Sequence, residues 1–147
     1  DIDCYFKEDF FNLVDSESDL VLCQRKRPEF NRYHYQLTHI GSFFGVNQHS
    51  HEVERFIERW INEMLTINGS PRETPGLCET LRKYRFDLKI SNIQEDLVSC
   101  HTKDLDVKKF DECKIFHMKS TGPTKHLSPI NSRIERLSRY IDIDKLL

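Results

Sequence analysis

The chain has 147 residues, near the size of one domain, and 37% of them are apolar, enough for a packed core without covalent staples. Charged residues make up 31%, yet the net charge is only −2, which argues against a broadly basic surface for nucleic acid or an acidic membrane. No apolar run approaches the roughly eighteen residues of a membrane-spanning helix, so no membrane contact is expected.

The sequence begins at Asp1 without a methionine, a basic start or an apolar leader. The expectation is one globular domain over 1–147, cut from a longer protein. Five cysteines (Cys4, Cys23, Cys78, Cys100 and Cys113) are odd in number and widely spaced. That pattern predicts reduced thiols and an intracellular setting rather than a disulfide scaffold.

In chain order, Ile2, Phe6, Phe10 and Leu13 recur at helical spacing and predict an opening helix. "DSESD" breaks it. "LVLCQ" and "RYHYQLT" then read as two strands of a hairpin, with Pro28 suited to the turn between them. "GSFFGVN" reads as a glycine-punctuated connector. Ser50 caps the clearest helix, His51 to Ile67, whose stripe is Val53, Phe56, Ile57, Trp60, Ile61, Met64 and Leu65. Its other face (Glu52, Glu54, Arg55, Glu58, Arg59, Glu63) is expected to be solvated, with Arg55–Glu58 and Arg59–Glu63 as ion pairs and Asn68-Gly69 as a left-handed end.

Thr74-Pro75 predicts a short helix carrying Leu77, Cys78, Leu81 and Tyr84. "RFDLKI" alternates and reads as a strand, followed by a short helical or irregular segment with Ile93 and Leu97. "CKIFHMK" reads as another strand, and Ser128-Pro129 opens a last helix with Ile130, Ile134, Leu137 and Ile141. Helices and strands do not alternate one by one. The predicted class is therefore α+β, with a mostly antiparallel sheet of about four strands packed against the 51–67 helix.

Three places carry acid-x-Lys: Asp87-Leu-Lys89, Asp106-Val-Lys108 and Glu112-Cys-Lys114. On a strand both side chains share a face, so a carboxylate can hold a divalent cation while the lysine orients water or offsets developing charge. Asp87 and Glu112 on neighbouring strands would hold Mg²⁺ or Mn²⁺, with Lys114 as the working cation. In outline this resembles the core of the PD-(D/E)xK nucleases. The resemblance implies a metal-dependent endonuclease, carried by Asp87, Glu112 and Lys114.

Zinc is a weaker fit. Cys100, His101, Cys113 and His117 lie close in sequence, but on a strand Cys113 and His117 stand roughly 13 Å apart, too far for one tetrahedral ion. No cofactor is expected outside the nuclease reading.

"QRKRPEFNRYHYQ" sets Arg25, Lys26, Arg27 and Arg32 among Phe30, Tyr33, His34 and Tyr35. Arginine and tyrosine are common interface anchors, and basic residues among rings also suit single-stranded nucleic acid. The leading expectation is a non-enzymatic interaction domain. It binds a protein partner through Arg25, Lys26, Arg27, Arg32, Tyr33 and Tyr35, together with the flank of the long helix. Single-stranded nucleic acid is the other candidate partner.

Overall fold

The computed structural model describes residues 4–6, 9, 11–47, 50–68, 73–98 and 113–117. The class is α+β. Contacts divide the chain into two compact units, Phe10–Glu95 and a second made of Asp1–Asp9 with Asp96–Leu147.

The unit Phe10–Glu95 is built on a three-stranded sheet. β2 (Leu20–Phe30) pairs antiparallel with β3 (Gln36–Val46) and parallel with β4 (Ile90–Gln94), giving the order β3-β2-β4. A parallel neighbour needs a long crossover. Here the crossover is the pair of helices α1 (His51–Thr66) and α2 (Glu73–Lys83), between β3 and β4.

The core forms where these helices meet the root of β2. Leu20, Leu22, Val53, Phe56, Trp60 and Leu77 make one buried cluster, flanked by Ile57, Met64, Leu81, Phe86, Leu88 and Ile90. Burying each large apolar side chain is worth roughly 1.5–3 kcal/mol. Ser50 caps α1 as expected, its Oγ accepting the Val53 N–H at 3.2 Å. The end of α1 differs from expectation. The helix stops at Thr66 because Ile67 turns extended (φ −70°, ψ 135°) and is buried.

Seven consecutive residues of α2, Thr74 to Thr80, are buried, so this helix is covered on all sides. Two glycines allow that. A Cβ on Gly41 of β3 would lie 2.7 Å from the Glu73 carbonyl carbon, and one on Gly76 would lie 2.6 Å from Met64 Cγ. α2 also covers the outer edge of β3. Thr74 Oγ1 accepts the Gly41 N–H at 2.9 Å, and Cys78 Sγ, one turn later, accepts the Thr38 N–H at 3.3 Å.

"GSFFGV" is therefore strand, not connector: its first glycine marks a close backbone approach rather than a break. "RFDLKI" departs the other way. Phe86 and Leu88 turn towards the core and Asp87 and Lys89 outward, as the alternation predicts, but the hydrogen-bonded ladder begins only at Ile90. The segment read as helical or irregular supplies β4 with Ile93 and then a helical turn with Leu97.

In the other unit, β1 (Cys4–Phe6) pairs antiparallel with β5 (Ile115–His117). The expected opening helix is absent at Cys4–Phe6, where strand pairing overrides a short periodic pattern; a 3-10 turn at Phe11–Leu13 is its only helical part among the described residues. The short helix α3 (Glu95–Val98) ends with Val98, which is buried, as are Cys113 and Ile115. The Lys114 N–H donates to the Leu97 carbonyl at 2.6 Å. The predicted helix after Ser128 lies outside the described residues.

Candidate interaction surface

β2 changes character along its length. Leu20 to Cys23 are buried, Gln24 and Arg25 are half-buried, and Lys26 to Phe30 are all exposed. Five exposed residues in a row leave this half of β2 outside the core, while its partner residues Leu37 and Thr38 on β3 are half-buried. β4 pairs with β2 only as far as Gln24. Beyond that point the β2–β3 hairpin continues as a two-stranded arm.

The root of the arm carries a large irregularity. Gln24 pairs with His39 and Glu29 with Leu37, so Arg25, Lys26, Arg27 and Pro28 of β2 stand opposite Thr38 alone. Pro28 sits in this bulge, where its missing N–H costs no ladder bond, and not in the turn. Arg25 is only 10% exposed in its side chain and acts as a strut. Its Nη1 lies 2.9 Å from Glu29 Oε2 and 4.0 Å from Glu95 Oε2. Glu95 Oε1 also accepts the Lys26 N–H at 3.2 Å.

The turn lies at Asn31 to Tyr35. The Asn31 N–H donates to the Tyr35 carbonyl at 3.1 Å, and the His34 N–H to the Asn31 carbonyl at 2.9 Å. Asn31 Oδ1 accepts from the Tyr33 and Tyr35 N–H groups at 2.9 and 3.0 Å. His34 takes φ 66°, the left-handed position usually given to glycine. The tip is thus fixed by its own hydrogen bonds. It presents Phe30, 70% exposed, and Tyr33, 40% exposed, with the Arg32 guanidinium 4.7 Å from the Tyr33 ring centroid.

Of the residues expected to bind, Lys26, Arg27, Arg32 and Tyr33 are exposed on the arm, Tyr35 is half-buried, and Arg25 is engaged at its root. Sequence reasoning did not single out Asn31, Glu29 or Glu95. Asn31 was legible as a turn former; the Glu95 contact spans 69 residues and left no local signal.

The solvated face predicted for α1 needs correction. Glu63 is buried: its Oε2 lies 2.6 Å from Lys83 Nζ and its Oε1 accepts from the Tyr84 hydroxyl at 2.9 Å. Arg55 pairs with Glu52 at 2.7 Å rather than Glu58. Arg55 and Arg59 lie over the rings of Phe86 and Tyr84 at 5.1 and 5.2 Å. Conversely Ile61 and Leu65, expected in the buried stripe, are 52% and 71% exposed.

Asp87 is exposed, and its N–H donates to Glu52 Oε2 at 3.2 Å. Lys89 Nζ turns to Asp15 Oδ2 at 3.0 Å, not to Asp87. Lys114 is half-buried, with Nζ 3.3 Å from the Asp9 carbonyl oxygen. Asp87 and Lys114 belong to different compact units. Glu112, Cys100 and His101 lie outside the described residues. Among the described residues no helix is long and apolar enough to cross a membrane, and no three His, Cys, Asp or Glu side chains form a group that could hold a metal ion.

Gln36, Thr38, Cys78, Leu81 and Arg82 line a cavity of about 260 Å³. Nearby, His39 Nδ1 is 2.9 Å from Thr38 Oγ1 and Nε2 is 3.2 Å from Asn92 Oδ1 on β4. Burial pushes the His39 pKa below its ordinary value, against the opposing pull of the Asn92 bond.

Comparison with protein-family models, with curated protein sequences and with solved structures finds no match.

Proposed function

We propose that this chain is a non-enzymatic interaction module that holds a protein partner through the β2–β3 arm. The observation that carries this reading is the unbroken exposure of Lys26 to Phe30 beyond the end of β4. A strand that leaves its sheet with five exposed residues in a row adds little to the core. It places an unshielded phenylalanine in water, and such a ring gains most in a partner's apolar slot.

The chemistry favours protein over single-stranded nucleic acid. Phosphate tracking needs free cations, yet Arg25 is tied to Glu29, and Glu29 adds a negative charge beside the basic run. Base stacking needs open ring faces, and Arg32 lies over that of Tyr33.

The test immobilises the whole chain and its Phe30→Ser/Tyr33→Ser variant and exposes both to nuclease-treated cell extract. Retained protein that is lost with the variant, at unchanged circular dichroism, is the expected result. Retention of a single-stranded oligonucleotide instead, abolished by Arg27→Ala/Arg32→Ala, would transfer the arm to nucleic acid.

A further inference from the structure

We infer that the arm's partner is a second copy of this chain, which receives it along the margin between α1 and β3. This rests on the reading of the arm as a contact surface.

Among the described residues, the large exposed apolar side chains fall into two groups. Phe30 and Tyr33 sit at the tip of the arm, while Phe44, Val46, Ile61 and Leu65 sit near its root. Phe44 and Val46 pair with Leu22 and Leu20, so they point to the helix-covered face of the sheet. The Phe44 ring meets Trp60 edge-on at 5.0 Å between centroids. Ile61 follows Trp60 on α1, and Leu65 is one turn further. The second group is thus an apolar margin on the open side of the Trp60 stripe.

Charge matches the two groups. The arm carries Lys26, Arg27 and Arg32 on exposed positions. On α1, Glu58 stands seven residues before Leu65, hence on the same stripe. The basic residues of that helix, Arg55 and Arg59, turn instead to Phe86 and Tyr84. An arm with exposed Arg27 in its bulge and Arg32 beside the aromatic tip thus complements a margin that pairs Glu58 with apolar side chains.

The contact is intermolecular. The paired ladder from Leu20–Val46 to Phe30–Gln36 runs about seven steps, roughly 23 Å at about 3.3 Å per step, so the tip stands well away from the margin at its own root. Each copy then offers one tip and one margin. Reciprocal exchange of tip for margin closes a two-fold pair, and one-way exchange gives rings or open chains.

Sedimentation velocity on the purified full chain tests this. Wild type is expected to gain mass between about 10 and 300 μM. Phe30→Ser/Tyr33→Ser and Ile61→Asp/Leu65→Asp are each expected to stay monomeric, and their equimolar mixture to form a one-to-one dimer and nothing larger. Glu58→Lys, which leaves every apolar contact in place, is expected to weaken association at least tenfold, with recovery on adding Arg27→Glu. A wild type that is monomeric throughout, a variant that assembles like wild type, or a mixture that stays monomeric overturns the inference. If wild type is monomeric while the arm still captures another protein, only the self-association fails. If the arm captures nothing, the functional reading fails with it.

Discussion

Lys83 Nζ lies 2.6 Å from Glu63 Oε2, and the two sides of this pair are unequally buried: the lysine side chain is half-exposed, the glutamate almost wholly enclosed. The asymmetry predicts unequal costs. Lys83→Met leaves a buried carboxylate hydrogen-bonded to the Tyr84 hydroxyl but without its close cation, at about 3 kcal/mol. Glu63→Met leaves Lys83 with Glu79 Oε2 at 3.6 Å and with water, at about 1 kcal/mol. Denaturant unfolding of the two variants checks the order; equal losses would contradict it.

Stability is expected to fall in two steps on acidification. His39 has a folded pKa below its ordinary 6.5 because burial disfavours the imidazolium. The unfolded chain therefore takes up its proton first, so the His39 contribution is complete above pH 6.5 and is lost as pH drops from there through the folded value. The Arg82 hydrogen bond holds the Glu79 carboxyl below its ordinary 4.5, so its contribution survives the first step and goes below that pH. Unfolding free energies at pH 7.5, 5.5 and 3.5 should show both steps. His39→Gln should remove the share of the first that His39 supplies, and a slope identical to wild type would contradict its role.

Both close-approach glycines should resist substitution, to different degrees. At Gly41 the obstacle is the Glu73 backbone, which cannot move without shifting α2. At Gly76 the nearest atom is the flexible Met64 side chain, with the Met64 backbone N at 3.1 Å, and alanine regains helix propensity of roughly 1 kcal/mol. Thermal melts should place Gly41→Ala well below Gly76→Ala, and the reverse order would show that β3 does not rest on α2 as described.

His34 occupies a position that glycine fills at lower conformational cost. Glycine also raises unfolded-state entropy, so His34→Gly should change stability by no more than about 1 kcal/mol. A larger loss would mean that the imidazole holds the tip together, rather than Asn31.

α1 was legible because its apolar periodicity is strong and Ser50 caps its start, and α2 because Pro75 marks the beginning of a helix, which the structure starts at Glu73. Pro28 misled the placement of the turn, since proline suits both a turn and a bulge, and only the pairing of Glu29 with Leu37 separates the two. "RFDLKI" shows that alternation reports which side chains face the core, not whether a neighbouring strand is in register. Glu63 was unreadable as a core residue because Lys83 and Tyr84, which make its burial tolerable, lie 20 and 21 positions away. The arm's composition stood out in the sequence. Its projection beyond the sheet did not, because that depends on β4 ending opposite Gln24.

A photoreactive phenylalanine analogue placed at position 30, compared with the same analogue at exposed Asn12, tests most directly whether the arm is the contact surface. Irradiation should give protein adducts from position 30 that position 12 does not give. Equal yields at the two positions, or adducts at position 30 made only with nucleic acid, would contradict the account.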